Sequence, residues 1–495
     1  MKVHLMFRDR DFDSRAEPCF AQDTLTADLE LEYILTEMAQ GDEVIRRSSV
    51  SALFHPLLSA EEVRYRQDNM RDALRNPDTV RKLYEITVEA EKRRRNLWCW
   101  LSPSSPLSSN FSGAVELLRL YVDMLMQLRL TADHDLAGFR SEGFRNLFTM
   151  LQTELDDDYF NMVQSYLKDM KERDGVLISA SLGNYLQGIS YVYRRKKPEK
   201  FWRRWRFAQS FTVPPRDDAG SIDLVKRQER ALNETTNALA QATDHLKGFF
   251  ALLQEELAFY VGCLNLRDAL RGYGMPVCIP ELLPEEAEDR SFRELYDVSL
   301  ALAKKEKVIG NGLEAEDKRL YLITGANQGG KSTFLRSIGQ AQLMSQCGMP
   351  AGAESLSLPI RRGVYTHFKK EEDATLKSGK LDEELCRMDG LADRLGNGSL
   401  MLFNESFAST NEREGSEICC QITRALTENR VEVFSVTHLY TYAAAFLGEQ
   451  SVQYLRAQRL ENGTRTFRVV PGEPLRTAFG EDLYRKIFAD KTEKT

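Results

Sequence analysis

Residues 325–332 read Gly-Ala-Asn-Gln-Gly-Gly-Lys-Ser, which fits the phosphate-binding loop pattern G-x-x-x-x-G-K-[ST] at every fixed position. The residues before the loop, 320–324, are apolar and partly β-branched, which predicts a strand. A helical pattern follows from Lys331. A strand, a glycine turn and a helix start together point backbone N–H groups and the helix dipole at one place, which suits an anion. We interpret the match as a nucleoside triphosphate site, and a glycine-rich turn that fits by chance is the alternative.

The side chains of the loop supply the groups that a triphosphate needs. Gly325, Gly329 and Gly330 let the backbone come close to the phosphates. Lys331 can reach the β and γ oxygens, and the Ser332 hydroxyl can ligate Mg²⁺. The sequence therefore predicts ATP and Mg²⁺ as ligands of this segment.

The composition describes a globular protein of two or three domains. The chain has 495 residues, of which 42% are hydrophobic and 28% are charged. Its net charge of −7 argues against a surface covered with nucleic-acid-binding charge, so any such contact must be local. The eight cysteines show no metal-binding spacing, and neither a secretion signal nor a membrane-spanning run is evident. We therefore expect a cytoplasmic protein with reduced thiols and no membrane partner.

The predicted secondary structure changes near residue 285. Residues 1–285 have mostly helical patterns and predict a helical core and lever domain, whereas short apolar strands alternate with helices over 290–495. The second part predicts an α/β P-loop ATPase domain, in which a parallel sheet carries helices on both faces. The acidic stretch 285–289 between the two parts predicts a solvated linker.

One predicted helix is unusually long. No proline interrupts residues 223–271. Apolar residues recur there every seven positions, at Val225, Leu232, Leu239, Leu246, Leu253 and Tyr260. The spacing predicts one helix of about 45 residues, roughly 65 Å long at the standard rise, which is typical of a lever or arm. Two helices that break near Gly248 are the alternative.

Residues 175–213 depart from the helical pattern. Two short runs, 176–179 and 189–193, predict strands. Basic residues interleaved with aromatic ones follow, which is what contact with a phosphate backbone requires. The predicted DNA-binding residues are Arg194, Arg195, Lys196, Lys197, Arg203, Arg204 and Arg206. The alternative is a solvated hairpin whose tryptophans pack on neighbouring helices.

A further candidate strand, 400–403, ends in Asn404 and Glu405. In phosphate-loop ATPases such a strand is followed by an aspartate that holds the Mg²⁺ shell and a glutamate that orients or deprotonates water. We therefore expect Glu405 to be the general base, and a structural carboxylate is the alternative. Asn404 can accept a hydrogen bond from a metal-bound water but carries no charge, so weaker Mg²⁺ binding or slower turnover is expected.

The candidate strand 431–437 ends at His438, where a side chain can sense the γ-phosphate or the attacking water. A satisfied structural histidine is the alternative. Ser378 and Gly379 precede another predicted helix, and their amides can receive an anion, although a plain helix cap suffices to explain them.

Together these segments resemble the MutS family of mismatch-repair ATPases. The run 323–333 (ITGANQGGKST) resembles the phosphate loop of that family, including Asn327. The segment 404–415 is similar to a diverged form of the magnesium-binding strand and following loop of that family. Residues 435–438 are similar to its Thr-His sensor. Residues 477–480 stand where the family tends to carry Ser-Tyr-Gly near its C-terminus. The long helices look like the core and lever helices of the family.

The resemblance implies properties that the residues alone do not. ATPase domains of the family pair as a dimer, in which Ser378 would reach the γ-phosphate of the partner's nucleotide. Asn327 and Thr333 join the predicted nucleotide ligands, and Asn404 joins Ser332 as a predicted metal ligand. Family members bind DNA between their lever arms and use ATP to switch between clamped and sliding states.

Three departures from the family pattern limit these expectations. The chain begins in the core region, so we expect no mismatch-reading domain; the basic hairpin is short for a DNA clamp; and Asn404 replaces an aspartate.

Our first hypothesis is a MutS-type homodimer that binds duplex or branched DNA and a repair or recombination protein. The second is a nucleotide-gated scaffold that hydrolyses little ATP and grips a protein. An ABC-type ATPase is the third, but the chain lacks its Leu-Ser-Gly-Gly signature.

Overall fold

The structure of the chain is a computed structural model. The residues that it describes are 1–97, 107–170, 176–194, 211–370, 379–460 and 464–475. Contacts divide the chain into two compact units: the first comprises Met1–His4 and Asp78–Leu257, and the second Leu5–Pro77 and Ala258–Thr495.

Helices and strands are numbered in chain order. The helices are α1 (Gln22–Asp28), α2 (Leu31–Ala39), α3 (Glu43–Phe54), α4 (Ala60–Arg75), α5 (Pro77–Asn96), α6 (Leu107–Asp135), α7 (Glu142–Glu154), α8 (Asp157–Asp169), α9 (Asp218–Gly272), α10 (Val298–Lys304), α11 (Lys331–Gln346), α12 (Lys380–Ala392), α13 (Glu412–Glu428) and α14 (Tyr440–Ala444). The strands are β1 (Ile178–Leu182), β2 (Gly188–Tyr193), β3 (Glu281–Leu283), β4 (Arg290–Leu295), β5 (Asn311–Ala315), β6 (Leu320–Thr324), β7 (Ser355–Pro359), β8 (Val364–Phe368), β9 (Leu400–Asn404), β10 (Glu432–Val436), β11 (Val452–Arg459) and β12 (Arg465–Pro471).

Helices dominate the first unit. The Asp156 side chain caps α8 by accepting a hydrogen bond from the Tyr159 amide at 2.7 Å. The apolar faces of the helices bury aromatic rings, and the Phe139 ring lies 4.9 Å from the rings of both Phe144 and Phe148. The helical character predicted for this part of the chain is therefore confirmed.

The predicted long helix is also confirmed. α9 is continuous over 55 residues and does not break at Gly248, so the two-helix alternative is wrong. At the standard rise a helix of this length spans about 80 Å. One window of α9 is long and apolar enough to cross a membrane, but 78% of that window is buried inside the protein, as in an interior helix.

The strands predicted within the basic excursion form a hairpin. β1 and β2 pair antiparallel, with Ile178 opposite Tyr193. Arg194 follows β2, and its guanidinium donates a hydrogen bond to the Ser179 hydroxyl at 2.8 Å. The other predicted DNA-binding residues fall within 195–206, which lies outside the described residues.

The second unit contains a six-stranded sheet in the order β12-β11-β6-β10-β9-β8. β11, β6, β10, β9 and β8 are parallel, whereas β12 pairs antiparallel with β11 at the edge. The prediction of a parallel sheet is therefore right for most of this sheet and wrong for β12. Because parallel strands end on one side, the loops after β6, β9 and β10 lie at the same edge.

Helices cover both faces of this sheet, as predicted. On one face, a Cβ added to Gly339 of α11 would lie 2.8 Å from the Leu402 side chain. On the other face, Phe403 belongs to a buried cluster with Cys419 of α13 and Tyr442 of α14. Leu402 and Phe403 point to opposite faces because successive side chains alternate along a strand.

A second sheet, in the order β3-β7-β4-β5, was not predicted. Its strands β4 and β5 pair antiparallel, whereas β3 and β7 pair parallel. The acidic stretch 285–289 that follows β3 keeps its side chains exposed or half-exposed, but it lies within the second unit and is not a linker between the two units. The Arg361 guanidinium donates to the carbonyl oxygens of Glu285 and Ala287 at 3.1 and 3.3 Å. These partners are distant in sequence, so local composition could not reveal them.

The N-terminal helices α1 to α4 belong to the second unit. The buried Gln340 amide of α11 donates to the Leu29 carbonyl at 2.9 Å. Arg66 of α4, which is 1% exposed, donates to the carbonyl oxygens of Met6 and Cys347 at 3.1 and 3.2 Å. These contacts explain why Leu5–Pro77 belongs to the same compact unit as the α/β part of the chain. A domain boundary at residue 285 stays a prediction.

Glu432, the first residue of β10, lies between two guanidinium groups. Its carboxylate accepts hydrogen bonds from Arg290 at 2.9 and 3.0 Å and from Arg361 at 2.7 Å. Burial by itself would raise the pKa of Glu432, but the charges and hydrogen bonds of the two arginines outweigh it and hold that pKa below its usual value. Since Arg290 belongs to β4, this carboxylate joins the two sheets.

Replacement of Glu432 by Gln should lower the free energy of unfolding by about 3–5 kcal/mol at neutral pH, because two buried arginines lose their counter-charge. The folded-state pKa is lowered. The ionised carboxylate therefore stabilises the fold above its unfolded-state pKa of about 4.3, and this stabilisation is lost as pH falls through the folded-state value.

Urea unfolding of the wild type and Glu432→Gln across the acidic range measures this effect. The difference between the two proteins should shrink as pH falls. The control is Glu417→Gln on the exposed side of α13, which should change stability by less than about 0.5 kcal/mol. A difference between wild type and Glu432→Gln that stayed constant with pH would contradict the ion-pair interpretation.

Candidate functional site

The loop between β6 and α11 has a backbone that only glycine adopts easily. Gly325 and Gly330 have φ values of +112° and +91°. A Cβ added to Gly329 would lie 2.8 Å from the Ala457 side chain and 2.9 Å from the Ala326 carbonyl oxygen. The loop therefore accommodates no side chain at these positions, and it turns tightly at the start of α11, where the Gly329 amide donates to the Ala326 carbonyl oxygen at 3.2 Å.

Lys331 is the first residue of α11, and it is 4% exposed. Its ammonium donates to the carbonyl oxygens of Gly325 and Ala326 at 2.9 and 3.1 Å. Burial lowers the pKa of Lys331, whereas the negative charge of Glu405 acts in the opposite direction. The cation is therefore held over the loop by carbonyl groups of the loop itself, where phosphate oxygens can replace them.

Ser332 and Asn404 form the predicted metal pair. The Ser332 hydroxyl donates to the Asn404 side-chain oxygen at 3.0 Å, so two oxygen atoms that suit Mg²⁺ lie side by side. In the part of the chain that the structure describes, no group of three His, Cys, Asp or Glu side chains is placed to hold a metal. The residues fit an Mg²⁺ ion that takes most of its ligands from phosphates and water.

Glu405 and His438 meet at the same edge of the sheet. The His438 Nε2 donates to the Glu405 carboxylate at 2.6 Å. This hydrogen bond lowers the pKa of Glu405, while burial acts in the opposite direction. Lys331 lowers that pKa further. Glu405 is therefore ionised at neutral pH and held by a residue from the neighbouring strand, as a carboxylate that orients water must be.

An open pocket of about 410 Å³ adjoins the loop. Gly330 and Thr333 form its wall on the side of the loop. Phe467 and Ile309, which are 52% and 47% exposed, supply apolar surface. Lys304 adds a positive charge to the lining. A pocket that combines apolar surface with polar side chains, next to a phosphate-binding loop, has room for the nucleoside part of a ligand.

The structure brings most of the predicted site residues to one edge of the sheet. The loop residues, Asn404, Glu405 and His438 follow three neighbouring strands. Asn327 is exposed on the loop. Ser378 lies outside the described residues, and Arg194 belongs to the other compact unit. The roles of all these residues remain predictions.

Sequence reasoning missed Arg465 of β12. Its guanidinium donates to the Gln328 side-chain oxygen at 3.0 Å, and its charge contributes to lowering the pKa of Lys331. A second cation therefore lies beside the phosphate loop. No motif could have revealed it, since 137 positions separate the two partners and only the antiparallel edge strand brings them together.

Comparison with known families gives two matches. A family model described as the MutS2 N-terminal domain matches residues 58–273, and one described as MutS domain V matches residues 321–470. The second match includes the loop, β9, β10 and the polar residues that follow them. The chain belongs to the MutS family. Both its helical part and its α/β part are matched, so the resemblance noted in the sequence is confirmed.

Curated MutS relatives match the chain at low identity. It is 25% identical over 227 residues to MutS protein homolog 4 of Homo sapiens, which is 44% of this chain and 24% of the relative. It is 28% identical over 331 residues to DNA mismatch repair protein MutS of Thermus thermophilus, or 63% of this chain and 38% of that protein. Endonuclease MutS2 of Streptococcus uberis is 26% identical over 197 residues, or 38% of this chain and 25% of the relative.

This MutS-family chain thus spans between 24% and 38% of the length of these relatives. The similarity shows the common family of the matched segments.

The phosphate loop should not tolerate even one added methyl group. Gly329→Ala is expected to lower the free energy of unfolding by about 1–3 kcal/mol because the new Cβ overlaps the neighbouring backbone. The control is Gly390→Ala, since a Cβ on this α12 residue would meet nothing within 4 Å. That change should stabilise the protein by up to about 1 kcal/mol. Chemical denaturation measures both values, and equal effects would show that the loop is not tightly packed.

Proposed function

We propose that this MutS-family chain is an ATPase that binds Mg²⁺-ATP at the loop between β6 and α11. The observation that carries the proposal is the convergence of two hydrogen-bonded pairs on one sheet edge. Ser332 with Asn404 offers oxygen ligands to a metal. His438 with Glu405 offers an oriented carboxylate.

Each residue has a defined task in this proposal. Lys331 exchanges its loop carbonyls for phosphate oxygens and neutralises their charge. Ser332 and Asn404 hold the metal, and Mg²⁺, when bound, supplies positive charge that stabilises the phosphate oxygens. Glu405 orients the attacking water and accepts its proton, while His438 keeps the carboxylate in place.

We expect slow hydrolysis because Asn404 is neutral. An aspartate at this position would add a negative charge to the metal site, whereas an amide oxygen contributes only a dipole. The adjoining pocket, with Phe467 and Ile309 in its lining, offers apolar surface to the nucleoside, which we propose is adenosine. Arg465 adds positive charge that would help to retain a triphosphate in the absence of a strong metal site.

We further propose that nucleotide binding switches a homodimer that holds DNA. The positively charged run 194–206 contains eight basic residues against one acidic residue, in a chain whose net charge is −7. Such local charge suits contact with a duplex or branched DNA backbone. Ser378 would complete the nucleotide site of the partner subunit. A repair or recombination protein as a further partner, and the cytoplasm as the location, belong to the same proposal.

Asn404 favours a second candidate function. A site that binds ATP but holds Mg²⁺ weakly can act as a nucleotide-gated scaffold, with little hydrolysis and with arms that grip a protein. Turnover measured with and without duplex, mismatched and branched DNA separates the two. Stimulation by DNA supports the first proposal, and turnover that is negligible or indifferent to every DNA form supports the scaffold.

Glu405→Gln should abolish turnover and leave ATP binding intact. The amide keeps the size of the side chain but cannot accept a proton, so the rate should fall by about 10²- to 10⁴-fold. Calorimetry with ATP and Mg²⁺ should give a dissociation constant close to that of the wild type. Glu417→Gln is the matched control and should turn over ATP normally. Undiminished turnover in Glu405→Gln would remove this residue from the mechanism.

Charge reversal of Arg203, Arg204 and Arg206 to Glu should weaken DNA binding and flatten its dependence on salt. Each lost phosphate contact should reduce the slope of log K against log [salt] by about 0.9. The matched control reverses Lys92, Arg93 and Arg95, which are exposed on α5. Fluorescence anisotropy at several salt concentrations measures both variants. Equal effects would mean that net charge, and not the basic run, governs binding.

A further inference from the structure

His367 lies on β8, next to the strand that leads to Glu405. It is 1% exposed and pairs across the sheet with Phe403 of β9. No motif in the sequence marks it, and the proposed mechanism does not use it. Both ring nitrogens nevertheless have partners, and these partners lie on two segments that border the candidate site.

One ring nitrogen of His367 contacts α12. The Nε2 atom lies 3.0 Å from the Glu384 carbonyl oxygen, which can only accept a hydrogen bond. Burial lowers the pKa of His367 to about 4, so the ring is neutral at neutral pH and carries one N–H. That hydrogen must be on Nε2, and Nδ1 must be an acceptor.

The other ring nitrogen contacts the loop that carries Glu405. The Ser406 hydroxyl lies 2.8 Å from the His367 Nδ1 and 2.6 Å from the His367 carbonyl oxygen. Both acceptors belong to the same residue. The Ser406 hydroxyl donates its hydrogen to the carbonyl oxygen, and the Nδ1 atom lies within reach of the same hydroxyl.

Ser406 stands between two residues whose backbone is in the left-handed region. Glu405 and Phe407 on either side of it have φ values of +55° and +57°. Residues with side chains rarely adopt this conformation, and it persists only where the surroundings hold it. The His367 ring also stacks on the Phe407 ring, with centroids 5.1 Å apart and an angle of 17° between the planes.

The α12 side of this arrangement has further contacts with the same loop. The Glu384 carboxylate accepts a hydrogen bond from the Ser409 hydroxyl at 2.9 Å. The Arg387 guanidinium donates to the Phe368 carbonyl oxygen at 3.1 Å, at the end of β8. The strand end, the loop and the helix therefore form one hydrogen-bonded group with His367 at its centre.

We infer that His367 is a positioning residue: through Ser406 it holds the strained loop that presents Glu405, and through Glu384 it ties that loop to α12. The inference deepens the proposed ATPase and rests on it for its catalytic consequence. A movement of α12 would then change the placement of Glu405 without any contact between α12 and the nucleotide. A core histidine that only fills space is the competing explanation.

Two near-isosteric variants separate the two polar contacts of the ring. Asn at position 367 keeps a polar atom near Nδ1 and so keeps the contact with Ser406. Gln keeps an N–H near Nε2 and so keeps the contact with Glu384. His367→Gln should lower kcat by about 10- to 100-fold, since small displacements of a reacting group have effects of this size. KM for ATP should stay within about twofold, and His367→Asn should retain at least about a third of kcat.

Ser406→Ala tests whether His367 acts through the serine. It should lower kcat as much as His367→Gln does, and the double variant should be no worse than either one, because residues that act as a unit are not additive. The control for general destabilisation is Asn265→Ala, which removes a buried hydrogen bond to the Met38 carbonyl oxygen, 2.9 Å long, elsewhere in the unit. Its kcat should be unchanged. Equal losses of kcat in His367→Asn and His367→Gln, or additive effects, would overturn the inference.

Amide hydrogen exchange of the intact chain gives a second measurement that needs no turnover. His367→Gln and Ser406→Ala should speed exchange over residues 404–411 by about tenfold or more and leave α9 unchanged. His367→Asn should speed exchange in α12 instead. If the wild type hydrolyses no ATP, the proposed function fails while these exchange rates still decide the linkage. Unaltered exchange in both segments would show that His367 does not hold them.

Discussion

The carboxylate of Glu432 is the constraint on which the α/β unit depends. Two arginines from different parts of the chain, Arg290 and Arg361, converge on it in the interior, and none of the three groups could stay ionised there alone. Glu432 begins β10, so this ion-pair network sets the position of the strand that ends just before His438. The network lies at one end of the sheet and the candidate site at the other, and the pairing of β10 with β6 and β9 connects them.

Backbone strain is concentrated around the candidate site. Gln328, Glu405 and Phe407 have φ values of +59°, +55° and +57°, each of which costs about 1–3 kcal/mol in a residue with a side chain. The Glu405 amide is held by the Val436 carbonyl oxygen at 2.9 Å, and the Phe407 ring by the stacked ring of His367. The conformations of Glu405 and Phe407 are therefore maintained by contacts with neighbouring segments.

Much of the architecture could be predicted from local signals. The absence of proline and the seven-residue spacing predicted a single long helix, and Gly248 did not interrupt it because packing of the apolar faces outweighs the weak helix preference of one glycine. The loop, Asn404, Glu405 and His438 were recognisable because apolar strands ending in polar residues mark the edge of a parallel sheet. The predictions that failed concern contacts at long range. Composition gave no sign that Arg361 binds the acidic stretch 285–289, and β12 gave no sign of running antiparallel.

The sequence by itself determined which residue types stand at the ends of the strands and which backbone positions can hold only glycine, since these properties are local. It also determined the family. Only the tertiary structure decided that Arg465 lies beside Gln328, that Arg361 binds the acidic stretch, and that His367 joins α12 to the Glu405 loop. Such contacts join segments far apart in the chain, and their geometry depends on how sheets and helices pack together. A periodic pattern carries no information about that packing, because it records only which face of an element is apolar and not what covers it.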